Sequence, residues 1–274
     1  MIEAFFNGGF ATYLTAFILG SSRLMMFAVV APFMGNAALN MTVRSALVLA
    51  LYLVIHPAVY DVVLEMGPLD TAHWIHLIAL IFKEIFIGFV LGWMAGMVFW
   101  AVEGAGFFID NQRGAGQAAE TDPLTGDQSS PMGSFLFQST TYAFFASGCF
   151  ATFLGLVYST YLIWPVDAYL PAAIFETQGA ALFFGKSLAA LALNIVLISA
   201  PVVLACLFTD ISLGLINRFA PQLNVYILAM PIKSGLASFL LIFYFALLMT
   251  DAADRFSVFG VDLKALEVLL RLAQ

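Results

Sequence analysis

Charge is scarce in this 274-residue sequence: Asp, Glu, Lys and Arg make up 10% of it, where soluble proteins carry about 25%. Its 10 basic and 17 acidic residues are too few to coat the two globular domains that the length alone would suggest. A typical cytosolic enzyme and a disordered chain are both excluded. Basic residues are scarcest, and the net charge of −7 argues against nucleic-acid binding, which needs clustered Lys and Arg. There are two cysteines, Cys149 and Cys206, both in apolar stretches; they read as buried thiols, not as a disulfide framework. No basic residue precedes Arg23, so no cleavable signal peptide is expected, and no lipidation box is present. There is no GxSxG elbow, no HExxH helix and no Cys/His zinc cluster, so no enzymatic activity, metal or cofactor is expected. His73 and His76 lie near Asp70, but Trp74 and the start of an apolar run make this an interfacial turn. The segment from Gly179 to Ser187 fails as a phosphate loop, because five residues instead of four separate Gly179 from Gly185.

What the sequence has is apolar length. Hydrophobic residues make up 62%, and the mean hydropathy is +0.99. About 20 apolar residues cross a bilayer core. The charge-poor runs predict helices near Phe10–Phe33, Val43–Tyr60, Trp74–Ile109, Ser187–Thr209 and Ser234–Thr250. The uncharged run Gln128–Val166 is long enough for a span plus an extra apolar segment. The fold class is therefore an all-α, polytopic membrane-type protein with about six long, kinked or broken helices. A separate short amphipathic helix is expected near Val261–Ala273, where Leu266, Leu269, Leu270 and Ala273 share a face and Glu267 pairs with Arg271. Loop charges do not orient the chain: Arg44, Arg113 and Arg218 fall on one side, and Lys186, Arg255, Lys264 and Arg271 on the other.

Four features stand out within this frame. Asp110–Ser134 is rich in Gly, Ser, Pro and acids; lipid would strand its backbone groups, so it must lie in water, in protein or along a passage. Gly88, Gly92 and Gly96 form a ridge on one helix face, suited either to packing within the chain or to contact with another subunit. Gly104 and Gly106 follow, where the helix could bend. Arg23, Lys83, Glu84, Glu103 and Asp210 lie within or beside apolar runs, where charge is expensive, and so read as buried pairs, as part of a conduction path, or as side chains snorkelling to the interface. Pro201 and Pro231 each remove a helix hydrogen bond, with a compact polar hinge from Asn217 to Asn224 between them. That pattern suits a kinked bundle or broken helices around a transport path.

Two stretches together carry a specific resemblance. The first holds Gln112-Arg113-Gly114, Asp122-Pro123, Gly126 and Ser130-Pro131. The second holds Ile216-Asn217-Arg218, Pro221-Gln222-Leu223-Asn224-Val225 and Ala229-Met230-Pro231-Ile232-Lys233-Ser234-Gly235. About 100 residues apart in a Phe-rich membrane protein, they resemble the T component of the type III secretion export apparatus, whose flagellar counterpart is FliR. The resemblance covers roughly residues 10–255, and its second stretch favours the secretion branch.

The resemblance implies a non-enzymatic export-gate subunit in the bacterial inner membrane. It would assemble with SctR-like and SctS-like subunits, and with the SctU switch protein and SctV export-gate component, into a helical entry portal for unfolded substrates. Much of that complex would stand above the membrane plane. The T family resembles an R-like part, here about residues 1–175, joined to an S-like part, about 176–255, and residues 256–274 form a tail. The loop Asp110–Pro131 would supply the gate plug, with Asp110, Gln112, Arg113, Gly114, Gly116, Asp122, Pro123, Gly126, Ser130 and Pro131 as its residues. Gly88, Gly92, Gly96, Pro201, Asn217, Arg218, Pro221, Asn224, Pro231 and Lys233 would serve subunit packing and hinges. From the residues alone, a stand-alone transporter or channel using Glu84, Glu103 and Asp210 stays open, as does a purely structural assembly nucleus.

Overall fold

The computed structural model describes residues 9–35, 39–66, 73–114, 130–169, 178–220, 222 and 225–271. Among the described residues the chain is all-α, with no strand. The helices are α1 (Ala11–Val30), α2 (Met41–Glu65), α3 (His73–Arg113), α4 (Pro131–Ala146), α5 (Cys149–Ile163), α6 (Gln178–Phe219) and α7 (Val225–Arg271). Five are long and apolar enough to cross a membrane, and the pair α4–α5, bent by 76°, makes up to six.

Local chemistry sets the boundaries. α1 stops at Val30, short of the expected Phe33, because Pro32 forces Ala31 into an extended conformation, after which Pro32–Met34 forms a short 3₁₀ turn. α2 starts where the Asn40 side chain accepts the Val43 N–H at 2.9 Å. The run read as Gln128–Val166 resolves into two helices, broken at Ser147–Gly148, where Gly148 has φ +74°. Pro201 and Pro231 lie inside α6 and α7, and both helices continue through them. The expected separate helix at Val261–Ala273 is instead a continuation of α7, which runs unbroken through Gly260 to Arg271.

Two compact units share the chain. One gathers α1, α2, α3 up to Gly96, and α5 from Phe150. Its core is built from Ala16, Leu19, Val59, Val63, Leu77, Leu80 and Val166. The glycine ridge of α3 lies against α1 of the same chain: a Cβ on Gly88 would stand 2.3 Å from the Arg23 carbonyl oxygen, and one on Gly92 would stand 2.7 Å from Val30 Cβ. The close approach is thus intramolecular, and α1 occupies the space that a neighbouring subunit would need at Gly88 and Gly92. Gly96 is buried too. In this unit Arg23 and Glu84 are fully buried and joined at 2.6 Å, so the pairing expectation holds there.

The other unit holds α3 from Met97, α4, α6 from Leu182, and α7 up to Val258. Ala101, Val102, Ala105, Ile109, Leu136, Val202, Cys206, Ala237, Leu241 and Leu248 form its core. α6 and α7 form an antiparallel hairpin, tied by Asp210 near the end of α6 and Lys233 near the start of α7, 3.1 Å apart. α3 does not stop at its glycines: it runs unbroken through Gly104 and Gly106, which instead admit neighbours. A Cβ on Gly106 would meet Gly133 Cα at 2.5 Å, so the backbones of α3 and α4 touch there.

Candidate functional site

The polar segment after α3 begins and ends on one carboxylate. Asp110, 3% exposed in the last turn of α3, accepts from Arg113 Nε at 2.7 Å with Oδ1. With Oδ2 it accepts from the Ser130 hydroxyl at 2.7 Å and the Met132 backbone N–H at 2.9 Å. Ser130 in turn caps α4, its Oγ accepting the Gly133 N–H at 3.0 Å, and Pro131 fills the first turn, where a missing N–H costs nothing. The two ends of the segment therefore meet, although twenty residues of sequence separate Asp110 from Ser130.

Gly114 closes α3. Its φ of +82° is the left-handed conformation that suits glycine at a helix C-terminus, and its N–H donates to the Asn111 carbonyl at 3.2 Å. A Cβ there would lie 3.3 Å from Met230 Cγ. Met230 belongs to the Met-Pro-Ile-Lys-Ser-Gly stretch, so the structure brings the two recognisable stretches into contact. Gln112 is half-buried beside this junction. Gly116, Asp122, Pro123 and Gly126 lie outside the described residues, as do Pro221 and Asn224 of the hinge.

Of the remaining hinge residues, Asn217 and Arg218 occupy the last turn of α6 and are exposed, as are Pro201 and Pro231. Lys233 pairs with Asp210, whose side chain is 43% exposed. The three acids weighed for a conduction path differ in setting: both Glu84 oxygens are committed to cations, Asp210 is ion-paired, and Glu103 is exposed on α3. Among the described residues, no group of three or more His, Cys, Asp or Glu side chains could hold a metal. Cys206 is buried and Cys149 half-buried, and neither is in a disulfide. Sequence reasoning passed over Gly133, whose only signal was its place three residues after the capping Ser130.

The family model for bacterial export proteins, family 1, matches residues 14–258. The chain belongs to this family. This export protein is 36% identical over 232 residues to Yop proteins translocation protein T of Yersinia pestis, covering 84% of this chain and 86% of that one. It is 29% identical over 244 residues to the surface presentation of antigens protein SpaR of Salmonella typhimurium, covering 87% and 86%. Over 183 residues it is 32% identical to the flagellar biosynthetic protein FliR of Bacillus subtilis, covering 67% and 70%. The resemblance to the type III export-apparatus T component, with its FliR kinship, is borne out. As an export-apparatus subunit with five or six helices of membrane-crossing length, the protein fits a multi-pass place in the inner membrane.

Proposed function

We propose that this export protein is the T-type subunit of the inner-membrane gate of a type III secretion system. It assembles with R-type and S-type subunits, beside SctU-like and SctV-like components, into the entry portal for unfolded polypeptides. The segment from Asp110 to Pro131 seals that portal at rest. The observation carrying this reading is the Asp110 clasp: one buried carboxylate fixes both ends of the polar segment, against the Met230 stretch of α7. A segment anchored at a single rigid base can change its path without unravelling the helices on either side of it.

Assembly is supported by the uneven burial of the long helices. In the most apolar window of each, 61% of residues are buried for Ile75–Arg113, against 22% for Ala181–Phe219 and 17% for Ile227–Phe256. The α6–α7 hairpin, which falls within the proposed S-like part, leaves Phe208, Phe219, Phe239, Ile242 and Phe243 exposed. Sibling subunits account for that surface better than lipid does, because Asp210 and Lys233 sit on the same hairpin and charge facing lipid is costly. The experiment is affinity purification of the tagged chain in mild detergent from cells carrying the whole apparatus. A discrete heteromeric complex of fixed composition is expected; a lone chain with ion flux of its own would overturn the reading.

A further inference from the structure

Arg23, Lys83 and Glu84 form a buried cluster in the first unit with one more cation than anion. Arg23 on α1 and Lys83 on α3 both reach Glu84, with Arg23 Nε 2.6 Å from Oε2 and Lys83 Nζ 2.7 Å from Oε1; all three side chains are at most 4% exposed. A buried excess charge is costly unless something compensates it. The remaining donors point to the end of α5. Arg23 donates to the Thr160 hydroxyl at 3.0 Å and the Trp164 carbonyl at 2.9 Å. Lys83 donates to the carbonyls of Pro165 at 2.7 Å and Val166 at 3.1 Å. α5 ends at Ile163, and Trp164–Tyr169 follows as a turn in which the Ala168 N–H donates to the Pro165 carbonyl at 3.3 Å.

We propose that the carbonyls at and just beyond the C-terminus of α5 supply the counter-charge this cluster lacks, and that Lys83 is the positioning residue that fixes the turn Trp164–Tyr169. A helix C-terminus carries about half a negative charge on its unpaired carbonyls, and cations placed there are stabilising. The arrangement has a specific consequence. The cations recognise backbone, so the path of the turn is selected, and the exposed Asp167 carboxylate on the same turn adds a weaker attraction to Lys83. The buried side chains of Trp164 and Val166 then enter the unit from a path already set, with Val166 joining its core. At the far end Tyr169 meets His76, two turns earlier on α3, so the turn follows α3 towards its start. The device binds α1, α3 and α5 through one point.

Hydrogen exchange in the assembled complex, with the full chain carrying K83M or K83R, tests this. In K83M the amides of residues 164–169 should exchange about tenfold faster, the loss set by charge-assisted bonds to backbone. Those of α1 should hold, since Arg23 and Glu84 remain a neutral pair. K83R should restore protection. Unchanged exchange at 164–169 in K83M would overturn the proposal. Chain abundance in membranes gives a second reading that does not depend on a well-folded variant. Glu84→Gln leaves two buried cations and should lower abundance; K83M should lower it too, because the turn carbonyls lose their cation, and a K83M level at or above wild type would contradict the assignment.

Discussion

Thr140 shows what a single side chain costs when its partner is missing. It lies on the inner face of α4 between Leu136 and Phe144, fully buried, and its hydroxyl has no hydrogen-bond partner among the described residues. Burying an unpaired hydroxyl costs about 1–3 kcal/mol. Valine has nearly the same shape without that group, so T140V is expected to stabilise the chain by about 1 kcal/mol. Thermal denaturation of the purified complex checks this: the midpoint should rise, and a lowered midpoint would mean that the hydroxyl has a partner in the assembly. Asp110 is the opposite case. Its two oxygens accept from Arg113, Ser130 and Met132, so a buried carboxylate becomes a structural joint with its charge compensated.

At the scale of helices, the glycines divide by what faces them. Gly106 and Gly88 sit where a Cβ would strike backbone, at 2.5 Å from Gly133 Cα and 2.3 Å from the Arg23 carbonyl oxygen. Gly185 and Gly214 on α6 have nothing within 4 Å. Replacing a helical glycine with alanine ordinarily stabilises by about 1 kcal/mol. At Gly214 that ordinary gain is expected, whereas Gly106→Ala should cost about 1–3 kcal/mol because backbone cannot move aside as a side chain can. Denaturation midpoints of the two variants check the sign, and the same sign at both positions would contradict the α3–α4 contact. The sequence shows this division only in part. Spacing places Gly88, Gly92 and Gly96 on one face, but whether that face meets α1 or another chain depends on tertiary packing. Helix existence was legible from apolar length alone. The early stop of α1 needed the local effect of Pro32, and the break at Ser147–Gly148 lies inside a run with no charge to mark it. The continuation of α7 past Phe256 went unforeseen because the change in composition there resembles a boundary, while the backbone has no Pro to end the helix.

For the whole molecule, both recognisable stretches were legible in the sequence, but their meeting at Gly114 and Met230 was not, since over a hundred residues separate them. Nor could the Asp110 clasp be foreseen, because one carboxylate closing a long polar segment leaves no periodic signal. A largely apolar chain whose little-buried α6–α7 hairpin carries an ion pair fits a subunit whose neighbours are other proteins. If the polar segment seals the portal, shortening it should open the passage. Removing residues 116–126 leaves Asp110, Arg113, Gly114 and Ser130 in place and so keeps the base intact. Ion flux should then be measured across membranes holding the assembled complex with this shortened chain. Flux should rise clearly over that of the wild-type complex, and unchanged flux in a correctly assembled complex would show that the segment is not the seal.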